Sequence, residues 1–510
     1  MPLLEGAHDR RARLVTGAVL GQRTSLPASE SAHVTVVGGG LGGVAAAIVL
    51  SEHGVAVTLH EAGDELGGRL SSWPDQLSEA AGGTPIQMER GFHAFFRQYY
   101  NTRNLLRRVD PSLGFLMPCD DYPLFGPNAA TESFAGLPRR PPFNLVALVK
   151  RTATIRLRDL ASIDGDAAAE MLAYDGDDTY ARLDSTSAAQ YLDSVRFPAE
   201  ARRMLFEVFA HSFFNPQESM SAAEMLMMFH LYFCGSAEGI LFDVLNAPFG
   251  VAVWQPMEAL LRGLDVDVRL GSRITELEEP RDREGIVLAT DVEGLRTIVQ
   301  SNAWIGGTEP TWRADIQSLE SAPPFAVWRL WLDGDVRPDR TPFAGTAAVG
   351  IIDNISCVHR YQNEARTWAA AHGGSVLELH AYALPRLVQR DVDRVKRELL
   401  ASLHALYPET ATMRVLDDRF LIRNDCPAFP PGSIGRRPVV ATPTARVVIA
   451  GDCTRLPFPT ALMERAVTSG FLAANSFLEA WNVRPEPIWS IPPRGVLATL
   501  QAWQRRRRSA

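Results

Sequence analysis

The chain has 510 residues, more than one hydrophobic core usually serves, so we expect two or three domains or one interwoven two-domain unit. Its 46% hydrophobic and 22% charged residues are ordinary for a globular protein, and a net charge of -8 argues against a nucleic-acid binder. Five scattered cysteines without a C-x-x-C pair fit neither a disulfide framework nor a zinc site, so no metal is expected and reduced cytoplasmic thiols are favoured.

Residues 1–30 at the amino end have the composition of a leader rather than of a targeting segment. They mix Gly, Ser, Asp and Arg, and they lack the long apolar region and the small-residue cleavage site of a signal peptide. We therefore expect a flexible leader. The sequence has no run of about twenty apolar residues, so no segment is expected to span a bilayer.

The next segment, HVTVVGGGLGGVAAAIVLSEHGVAVTLHEA, predicts a strand (34–37), a glycine turn, a helix of small residues (45–50) and a second strand (55–59). Gly38 permits a tight turn, Gly40 lets the backbone approach a pyrophosphate, and Gly43 lets the helix pack close to the strand. Glu61 follows the second strand, where a carboxylate can accept both ribose hydroxyls and would repel a 2′-phosphate. The pattern favours an ADP moiety and disfavours NADP. A glycine-rich structural turn is the alternative, and FAD against NAD stays open here.

Residues 67–101 combine a second glycine turn with a dense aromatic stretch. Gly67-Gly68-Arg69 can bring bare backbone and a guanidinium to the same pyrophosphate. The stretch MERGFHAFFRQYYN, residues 88–101, then places five aromatic rings around His93. Aromatic walls suit a stiff conjugated ligand, which gains from dispersion and stacking. An aromatic core helix with a satisfied histidine is the alternative.

The middle of the chain predicts further helices and strands. SAAEMLMMFHLYF (221–233) is an apolar, Met-rich helix that could adapt to an elongated ligand or form ordinary core. QPMEALLRGL (255–264) predicts a helix, and DVDVRLGSRITELEEP (265–280) predicts a strand, a turn at Gly271 and another strand. FAVWRLWLD (325–333) and SVLELHAYAL (375–384) alternate apolar and polar residues as half-covered strands do. Such a sheet would turn one face toward a ligand.

Residues 446–481 favour FAD over NAD. They predict a buried strand, Gly451-Asp452, a Pro-rich loop and a long helix that begins near Met463. Asp452 can present its carboxylate to ribityl hydroxyls, and the amino end of the helix can stabilise negative charge on a reduced isoalloxazine ring.

The tail, residues 482–510, ends in a possible amphipathic basic helix. Its apolar residues at helical spacing are Val496, Leu497, Leu500 and Trp503, and Arg505 to Arg508 follow them. This pattern is typical of an interfacial helix, with a solvated basic tail as the alternative. We expect a cytoplasmic protein associated with the inner face of the membrane.

The first fingerprint and the segment around Gly451-Asp452 together resemble the FAD-dependent amine oxidase and carotene desaturase superfamily. The resemblance covers most of residues 33–481. It implies an α/β fold in which a Rossmann-like FAD-binding domain of the GR2 type carries an inserted α+β substrate domain. The FAD-binding domain would be discontinuous (31–100, 240–310 and 430–481), and the substrate-binding domain would comprise 101–239 and 311–429. Carried over by motif, the residues implied to bind FAD are Gly38, Gly40, Gly43, Glu61, Gly67, Gly68, Arg69, Gly91, Ile274, Gly451, Asp452 and Met463.

Within the superfamily, the chain resembles the carotenoid β-ring aromatases (isorenieratene synthase, β-carotene desaturase/methyltransferase). The similar stretches are GFHAFFRQYYNTRNLLRRVDP, DNISCVHRYQNEARTWAAAHGGSVLELHAYAL and CPAFPPGS. The resemblance implies a long polyene substrate, β-carotene, with quinone or oxygen as the electron acceptor. No separate fold for the methyl donor S-adenosylmethionine is visible, because the single convincing nucleotide fingerprint serves FAD. The methyl group should therefore migrate within the ring. His93 is the first candidate for proton removal or cation stabilisation, since imidazole titrates near neutrality, and Glu89 or Glu464 could replace it.

Other functions stay open at this point. An amine or amino-acid oxidase would use the same FAD frame but would need a polar pocket, against which the uncharged aromatic residues 92–100 argue. A non-enzymatic prenyl-lipid escort protein would dispense with flavin chemistry, whereas the intact glycines, Glu61 and Arg69 argue for cofactor binding. A different carotene desaturase or an isomerase is the remaining alternative.

Overall fold

The structure, a computed structural model, describes residues 11–16, 23–27, 29–119, 121–126, 131–141, 143–152, 163–385 and 391–509. Its strands are β1 (Arg13–Thr16), β2 (His33–Val37), β3 (Ala56–His60), β4 (Ser72–Gln76), β5 (Pro85–Glu89), β6 (Phe95–Phe96), β7 (Leu116–Cys119), β8 (Leu124–Phe125), β9 (Thr131–Glu132), β10 (Phe242–Leu245), β11 (Asp267–Arg269), β12 (Glu284–Leu288), β13 (Phe325–Leu332), β14 (Phe343–Thr346), β15 (Asn354–Cys357), β16 (Ser375–Ala381), β17 (Val415–Arg423), β18 (Val447–Ile449) and β19 (Ile488–Ser490). Its α-helices are α1 (Leu41–Glu52), α2 (Tyr100–Leu106), α3 (Phe143–Arg151), α4 (Gly165–Glu170), α5 (Gly176–Leu183), α6 (Ala188–Val195), α7 (Ala199–Arg202), α8 (Val208–His211), α9 (Ala222–Phe229), α10 (Gln255–Gly263), α11 (Val292–Ser301), α12 (Pro310–Gln317), α13 (Asn363–His372), α14 (Val392–Leu406), α15 (Leu462–Ala480) and α16 (Ala498–Ser509).

A five-stranded parallel sheet, in the order β11-β3-β2-β12-β18, forms the nucleotide-binding half. Helix α1 connects β2 to β3 and is buried along residues 41–50, because its side chains there are small or apolar and it packs against α15. A Cβ on Gly470 of α15 would lie only 2.2 Å from the carbonyl oxygen of Gly42. Glycine is therefore needed where these helices cross. The arrangement matches the predicted Rossmann-like fold.

The predicted strands at 325–333 and 375–384 form β13 and β16, inside a seven-stranded sheet of order β17-β13-β16-β15-β14-β8-β9. The prediction that these strands are half covered is wrong, because every residue of both is buried. Their polar residues are partners of one another: Arg329 pairs with Glu378, and His380 contacts the same carboxylate. Alternation in this sheet therefore separates an apolar face from a buried polar face.

The aromatic stretch and the Met-rich segment meet between the two large sheets. Strand β6 carries two rings of the aromatic stretch and pairs with β10 in a three-stranded sheet, β6-β10-β7. The predicted helix at 221–233 is confirmed as α9, which continues into a π-helical turn over His230–Cys234. Helices α4, α5, α6, α8 and α9 contribute to a second hydrophobic core beside the sheets.

Two local predictions are wrong. The described part of the predicted leader is folded, because β1 pairs antiparallel with β19 and Leu26 is buried; the rest of 1–30 lies outside the described residues. No strand follows Gly271 within residues 272–280. In this segment the backbone bonds to a side chain instead of to a neighbouring strand. The N–H of Leu277 donates to Oδ1 of Asn302 at 2.8 Å.

The two large sheets draw their strands from different parts of the chain. Strands of the parallel sheet come from 33–60, 267–288 and 447–449, and strands of the seven-stranded sheet come from 124–132, 325–381 and 415–423. Helix α2 departs from this division, since Leu105 and Leu106 pack in the core of the nucleotide-binding half. That core therefore extends beyond the predicted boundary at residue 100, and the boundaries themselves stay a prediction.

The tail ends in helix α16, and one face of this helix is docked. Arg505 forms ion pairs with Glu170 and Asp178, whereas Leu500 and Trp503 are 50% and 49% exposed. Within the described ranges, no helix has the length and apolar character that crossing a bilayer requires.

Candidate functional site

One cavity of about 850 Å³ runs from the edge of the parallel sheet to the aromatic stretch. At the sheet, it is lined by residues that follow each of the five strands, namely Gly38, Glu61, Ser272, Thr290 and Gly451. Ligands of open α/β sheets bind at this edge, outside the carboxyl ends of the strands. The predicted cofactor residues that line the cavity are Gly38, Gly40, Glu61, Gly67, Gly68, Arg69, Ile274, Gly451, Asp452 and Met463. The fold thus brings separate segments of the chain to one place.

The two glycine turns form a cradle of bare backbone. The N–H of Gly67 donates to the carbonyl oxygen of Gly39 at 2.9 Å, and a Cβ on Gly68 would lie 3.4 Å from Cα of Gly40. A Cβ on Gly40 would meet no atom within 4 Å, because this position faces the cavity. Open space beside the amino end of α1 fits a pyrophosphate such as FAD carries.

Gly43 does not line the cavity but sets the distance between helix and strand. A Cβ on Gly43 would lie 1.9 Å from the carbonyl oxygen of Gly38. Gly38 has φ 114°, and a Cβ there would lie 2.4 Å from the carbonyl oxygen of Ala289. The fingerprint glycines are therefore required by close packing as well as by the ligand.

Two carboxylates are held at defined points of the cavity. Glu61 accepts hydrogen bonds from the backbone N–H groups of Gly39 and Gly63, each at 2.7 Å. Asp452 accepts two hydrogen bonds from the guanidinium of Arg69, at 2.6 and 2.7 Å. The second pair ties the second glycine turn to the segment after β18, so the arginine predicted to meet the pyrophosphate and the aspartate predicted to meet the ribityl hydroxyls are fixed relative to each other.

The amino end of α15 faces the cavity through Leu462, Met463 and Ala466. Such an end favours negative charge on a ligand. The loop before it is braced by Glu224, which accepts from Arg437 at 2.7 Å and from Arg465 at 2.6 Å. Burial alone would raise the pKa of Glu224, but the two guanidinium groups lower it to about 2. This buried carboxylate is therefore ionised and anchors both arginines.

Beyond the cofactor cradle, the cavity has aromatic walls. Its rings include Phe92, Phe96, Tyr122, Phe134, Tyr232 and Phe343. Phe92 stacks on Phe343 with centroids 4.4 Å apart, and Phe96 meets Tyr232 edge to face at 4.8 Å. The π-helical turn after α9 carries Tyr232, and such turns occur often at functional sites. Walls of ring surface suit a flat, conjugated ligand.

His93 lines the cavity between the cofactor cradle and these rings. Its Nδ1 lies 2.8 Å from the carbonyl oxygen of Gly91. Because a carbonyl oxygen can only accept, this Nδ1 carries a proton and donates it. Burial lowers the pKa of His93 to about 4, so the imidazole is neutral at neutral pH. Its Nε2 then keeps a lone pair that can accept a proton.

Glu89, the second candidate catalytic residue, does not line this cavity. One carboxylate oxygen accepts from the backbone N–H of Phe249 at 2.7 Å, and the other accepts from Arg329 at 2.8 Å and Gln362 at 2.9 Å. Both carboxylate oxygens of Glu89 are thus held by hydrogen bonds in the interior of the protein, away from the cavity.

Glu464, the third candidate, also lies outside the cavity lining and caps helix α2. It accepts four hydrogen bonds of 2.8–2.9 Å from the backbone and side chains of Asn101 and Thr102. Burial raises the pKa of Glu464 to about 7. This contact joins α15 to α2, so it positions the segment that follows the aromatic stretch.

Gly91 reaches the site indirectly, and it points to residues that sequence reasoning missed. Gly91 has φ 109°, and a Cβ there would lie 2.8 Å from Cε1 of His380. His380 and Tyr382 both line the cavity. Their sequence signals were the alternation of 375–384 and the resemblance of that stretch to the β-ring aromatases, and neither shows which segment covers a strand.

Comparisons with known proteins agree with this geometry. The family model described as "Flavin containing amine oxidoreductase" matches residues 41–478. A carotenoid phi-ring synthase of Streptomyces griseus is 48% identical over 486 residues, which cover 92% of each chain. A carotenoid phi-ring synthase of Chlorobaculum tepidum is 24% identical, with 91% of each chain covered. A zeta-carotene desaturase of Synechocystis sp. is 25% identical and covers 87% of this chain and 97% of its own.

Solved structures share the fold. Putrescine oxidase bound to putrescine superposes with a TM-score of 0.63 at 16% identity, covering 88% of this chain and 99% of that one. Cyclohexylamine oxidase from Brevibacterium oxydans gives a TM-score of 0.63 at 17% identity, covering 89% and 100%. The family match confirms the predicted superfamily, the FAD cofactor and the oxidoreductase class. The chain belongs to the flavin-containing amine oxidoreductase family and is an FAD-dependent oxidoreductase.

Proposed function

We propose that this enzyme converts the β-rings of β-carotene into aromatic φ-type rings, by desaturation with a methyl shift inside the ring. The observation that carries the proposal is the continuous cavity that joins the cofactor cradle to the aromatic walls. The names of the relatives support the substrate class, since two are carotenoid phi-ring synthases and one is a zeta-carotene desaturase. The nearly full-length match at 48% identity favours ring aromatisation over desaturation of an acyclic chain.

The residues of the chain hold the cofactor and exclude water. Bound FAD supplies a two-electron acceptor for the hydride that leaves the ring. In the proposal, its ADP half is held by Gly38, Gly40, Glu61, Gly67, Gly68 and Ile274, and its flavin half by Arg69, Gly451, Asp452 and Met463. Gly43 and Gly91 act through spacing, because their missing Cβ atoms let α1 approach β2 and let residue 91 approach β16.

His93 takes the role of proton acceptor or cation stabiliser in this proposal. Its neutral imidazole, with Nδ1 bound to the carbonyl oxygen of Gly91, leaves Nε2 able to accept a proton. A base with a pKa of about 4 is weak, but a proton beside a carbocation is a strong acid, so a weak base is sufficient. Glu89 and Glu464 are not proposed as bases, because neither lines the cavity.

We also propose contact with an anionic membrane surface through two exposed helix faces. Helix α3 exposes Phe143, Val146 and Val149, at 64%, 48% and 40%, and ends in Lys150 and Arg151. Its Asn144 donates to the carbonyl oxygen of Phe233 at 2.7 Å, and Phe233 lines the cavity. Helix α3 therefore lies beside the cavity wall. Helix α16 adds Leu500 and Trp503, and apolar faces with basic flanks bind anionic bilayers.

Mass spectrometry of carotenoids tests the proposed reaction. The wild-type chain is expressed in bacteria that make β-carotene, beside Gly40→Ala, which intrudes on the cofactor cradle, and Gly263→Ala. Gly263 ends α10 and lies outside the cavity lining, and a Cβ added there would meet no atom within 4 Å, so this matched change should be silent. Wild type and Gly263→Ala should remove four hydrogens and no carbon from one ring and then from both. Gly40→Ala should convert less β-carotene than wild type and Gly263→Ala, because it binds FAD more weakly.

Each other outcome points to a different function. A gain of carbon would show a donated methyl group and contradict the internal shift. Loss of hydrogens from an acyclic precursor, with β-carotene untouched, would show a chain desaturase. A protein that binds β-carotene but retains no FAD after incubation with the cofactor would be an escort protein.

A further inference from the structure

Beneath the aromatic stretch, polar side chains of β16 and β13 form a line from the cavity wall into the interior. The hydroxyl of Tyr382 lies 2.7 Å from Nδ1 of His380, and Nε2 of His380 lies 2.9 Å from Oε1 of Glu378. The other carboxylate oxygen of Glu378 accepts from Nε of Arg329 at 2.9 Å. His380, Glu378 and Arg329 are 2%, 0% and 3% exposed. The line is therefore shielded from solvent except at the cavity.

The direction of each hydrogen bond in this line follows from its partners. Burial alone would raise the pKa of Glu378, but Arg329 and His380 lower it to about 2, so the carboxylate is ionised and accepts from Nε2–H of His380. The Nδ1 atom of a neutral His380 is then an acceptor, and it takes the hydroxyl proton of Tyr382. Asn354 donates to the oxygen of Tyr382 at 2.8 Å, which leaves that hydroxyl proton for His380.

Both ends of the line are fixed against the site. Tyr382 and His380 line the cavity, and the backbone N–H of Phe92 donates to Oε1 of Glu378 at 2.7 Å. Phe92 belongs to the aromatic wall, so the same carboxylate orients both the imidazole and the residue next to His93. A buried aspartate or glutamate that orients a histidine, which in turn takes the proton of a hydroxyl, is the arrangement that activates hydroxyl groups in many enzymes.

We propose that Tyr382 is a catalytic residue that accepts a proton from the substrate, and that His380 receives the hydroxyl proton of Tyr382 while Glu378 positions the imidazole. This inference rests on the proposed function and assigns proton removal to Tyr382, so His93 keeps the role of cation stabiliser. In each desaturation, the ring loses a hydride to bound flavin, the oxidant, and is left as a carbocation. A neighbouring C–H bond then breaks, its electron pair forms the new carbon–carbon double bond, and its proton goes to the oxygen of Tyr382. The hydroxyl proton moves to Nδ1 of His380, and the imidazolium is held against Glu378 until the proton leaves to solvent.

Tyr382→Phe tests this role, with Tyr407→Phe as the matched control. Tyr407 is buried and undergoes the same chemical change, but it does not line the cavity. The first measurement is an anaerobic single turnover with β-carotene, stopped at successive times and assayed for the desaturated product, because proton removal follows hydride loss. Positioned acid–base groups contribute on the order of 100-fold or more to a rate, so Tyr382→Phe should slow the reaction by about that factor. FAD content should be unchanged, and Tyr407→Phe should match wild type.

A second measurement does not depend on turnover. In protein with ¹⁵N-labelled histidine, His380 should be a neutral imidazole protonated at Nε2 alone, assigned by the signal that disappears in His380→Gln. In Tyr382→Phe, the Nδ1 signal of His380 should shift because it loses its hydrogen-bond donor. Formation of the desaturated product at the wild-type rate in Tyr382→Phe, or a His380 protonated at Nδ1, would overturn the relay. A wild-type enzyme whose flavin β-carotene cannot reduce would instead overturn the proposed substrate, and the NMR result would still decide the hydrogen-bond line.

Discussion

The fingerprint glycines allow a prediction that separates cofactor binding from packing. Gly40→Ala and Gly43→Ala each add one methyl group within the same turn and helix. At Gly40 the new Cβ would have no protein atom within 4 Å and φ is -76°, so the fold should tolerate alanine. At Gly43 the new Cβ would lie 1.9 Å from the carbonyl oxygen of Gly38, so helix and strand must separate by more than 1 Å to reach ordinary contact.

The expected magnitudes follow from these two environments. Overpacking of a rigid backbone costs roughly 1–3 kcal/mol, so Gly43→Ala should lose about that much free energy of unfolding and bind FAD poorly as well. In Gly40→Ala the methyl group occupies space that we assign to the pyrophosphate, and a similar penalty would fall on binding alone. At about 1.4 kcal/mol per decade, the dissociation constant of FAD should rise roughly 5- to 150-fold.

Flavin fluorescence titration of deflavinated protein and thermal unfolding followed by circular dichroism measure the two quantities separately. Gly263→Ala should change neither by much, since its Cβ would be unopposed and outside the cavity. Gly40→Ala with the wild-type affinity for FAD would refute the placement of the pyrophosphate. Gly43→Ala with unchanged stability would refute the argument from the close approach of α1 and β2.

Three further predictions concern the cap of α2, the buried histidine and the exposed helix faces. Glu464→Gln puts an amide donor against the donors of Asn101 and Thr102, so it should lower the free energy of unfolding by about 1–3 kcal/mol. Thermal melts measure this loss, and an unchanged melting temperature would contradict the capping of α2 by Glu464. His93 has a pKa of about 4 in the folded protein and an ordinary value of 6.5, so between these pH values only the unfolded chain takes up the proton. The free energy of unfolding should therefore fall as the pH drops from 6.5 toward 4. Urea midpoints should depend less steeply on pH in His93→Gln than in wild type, and an equal slope would count against a buried neutral imidazole. Replacing Leu500 and Trp503 with Gln, or Phe143 and Val146 with Ser, should reduce sedimentation with anionic liposomes and leave FAD content intact. If both variants sediment as much as wild type, these helix faces do not bind the membrane.

The cofactor half of the molecule could be predicted from the sequence because its requirements are local. A strand, a glycine turn and a helix follow one another within 33–52, and Gly43 is required by the carbonyl oxygen of Gly38, which is near it in the chain. The carboxylate of Glu61 and the helix after Gly451 occupy fixed positions relative to such turns. Short-range patterns of this kind specify geometry without knowledge of the rest of the chain.

The substrate half could not be predicted as well, because its geometry depends on contacts between distant segments. The alternation in 375–384 indicated a strand but not the segment that covers its polar face. Glu464 was a candidate base, whereas the structure uses it to hold Asn101 and Thr102, which are more than 350 residues away in the chain. The prediction of a flexible leader was wrong for the same reason, because β1 pairs with β19, which is far from it in the sequence.

Burial of the polar face of β13 and β16 also explains how a short aromatic strand can form a defined wall. Strand β6 contains only two residues, so its own ladder cannot fix residues 91–94. Arg329 instead binds both Glu89, which precedes the stretch, and Glu378, which accepts from the N–H of Phe92. Buried charges must be paired, and removing one partner is strongly destabilising, so these contacts leave few alternative positions for the backbone. The charges therefore act on the site by holding His93 and the aromatic rings in place, and the wall is as rigid as the sheet on which it lies.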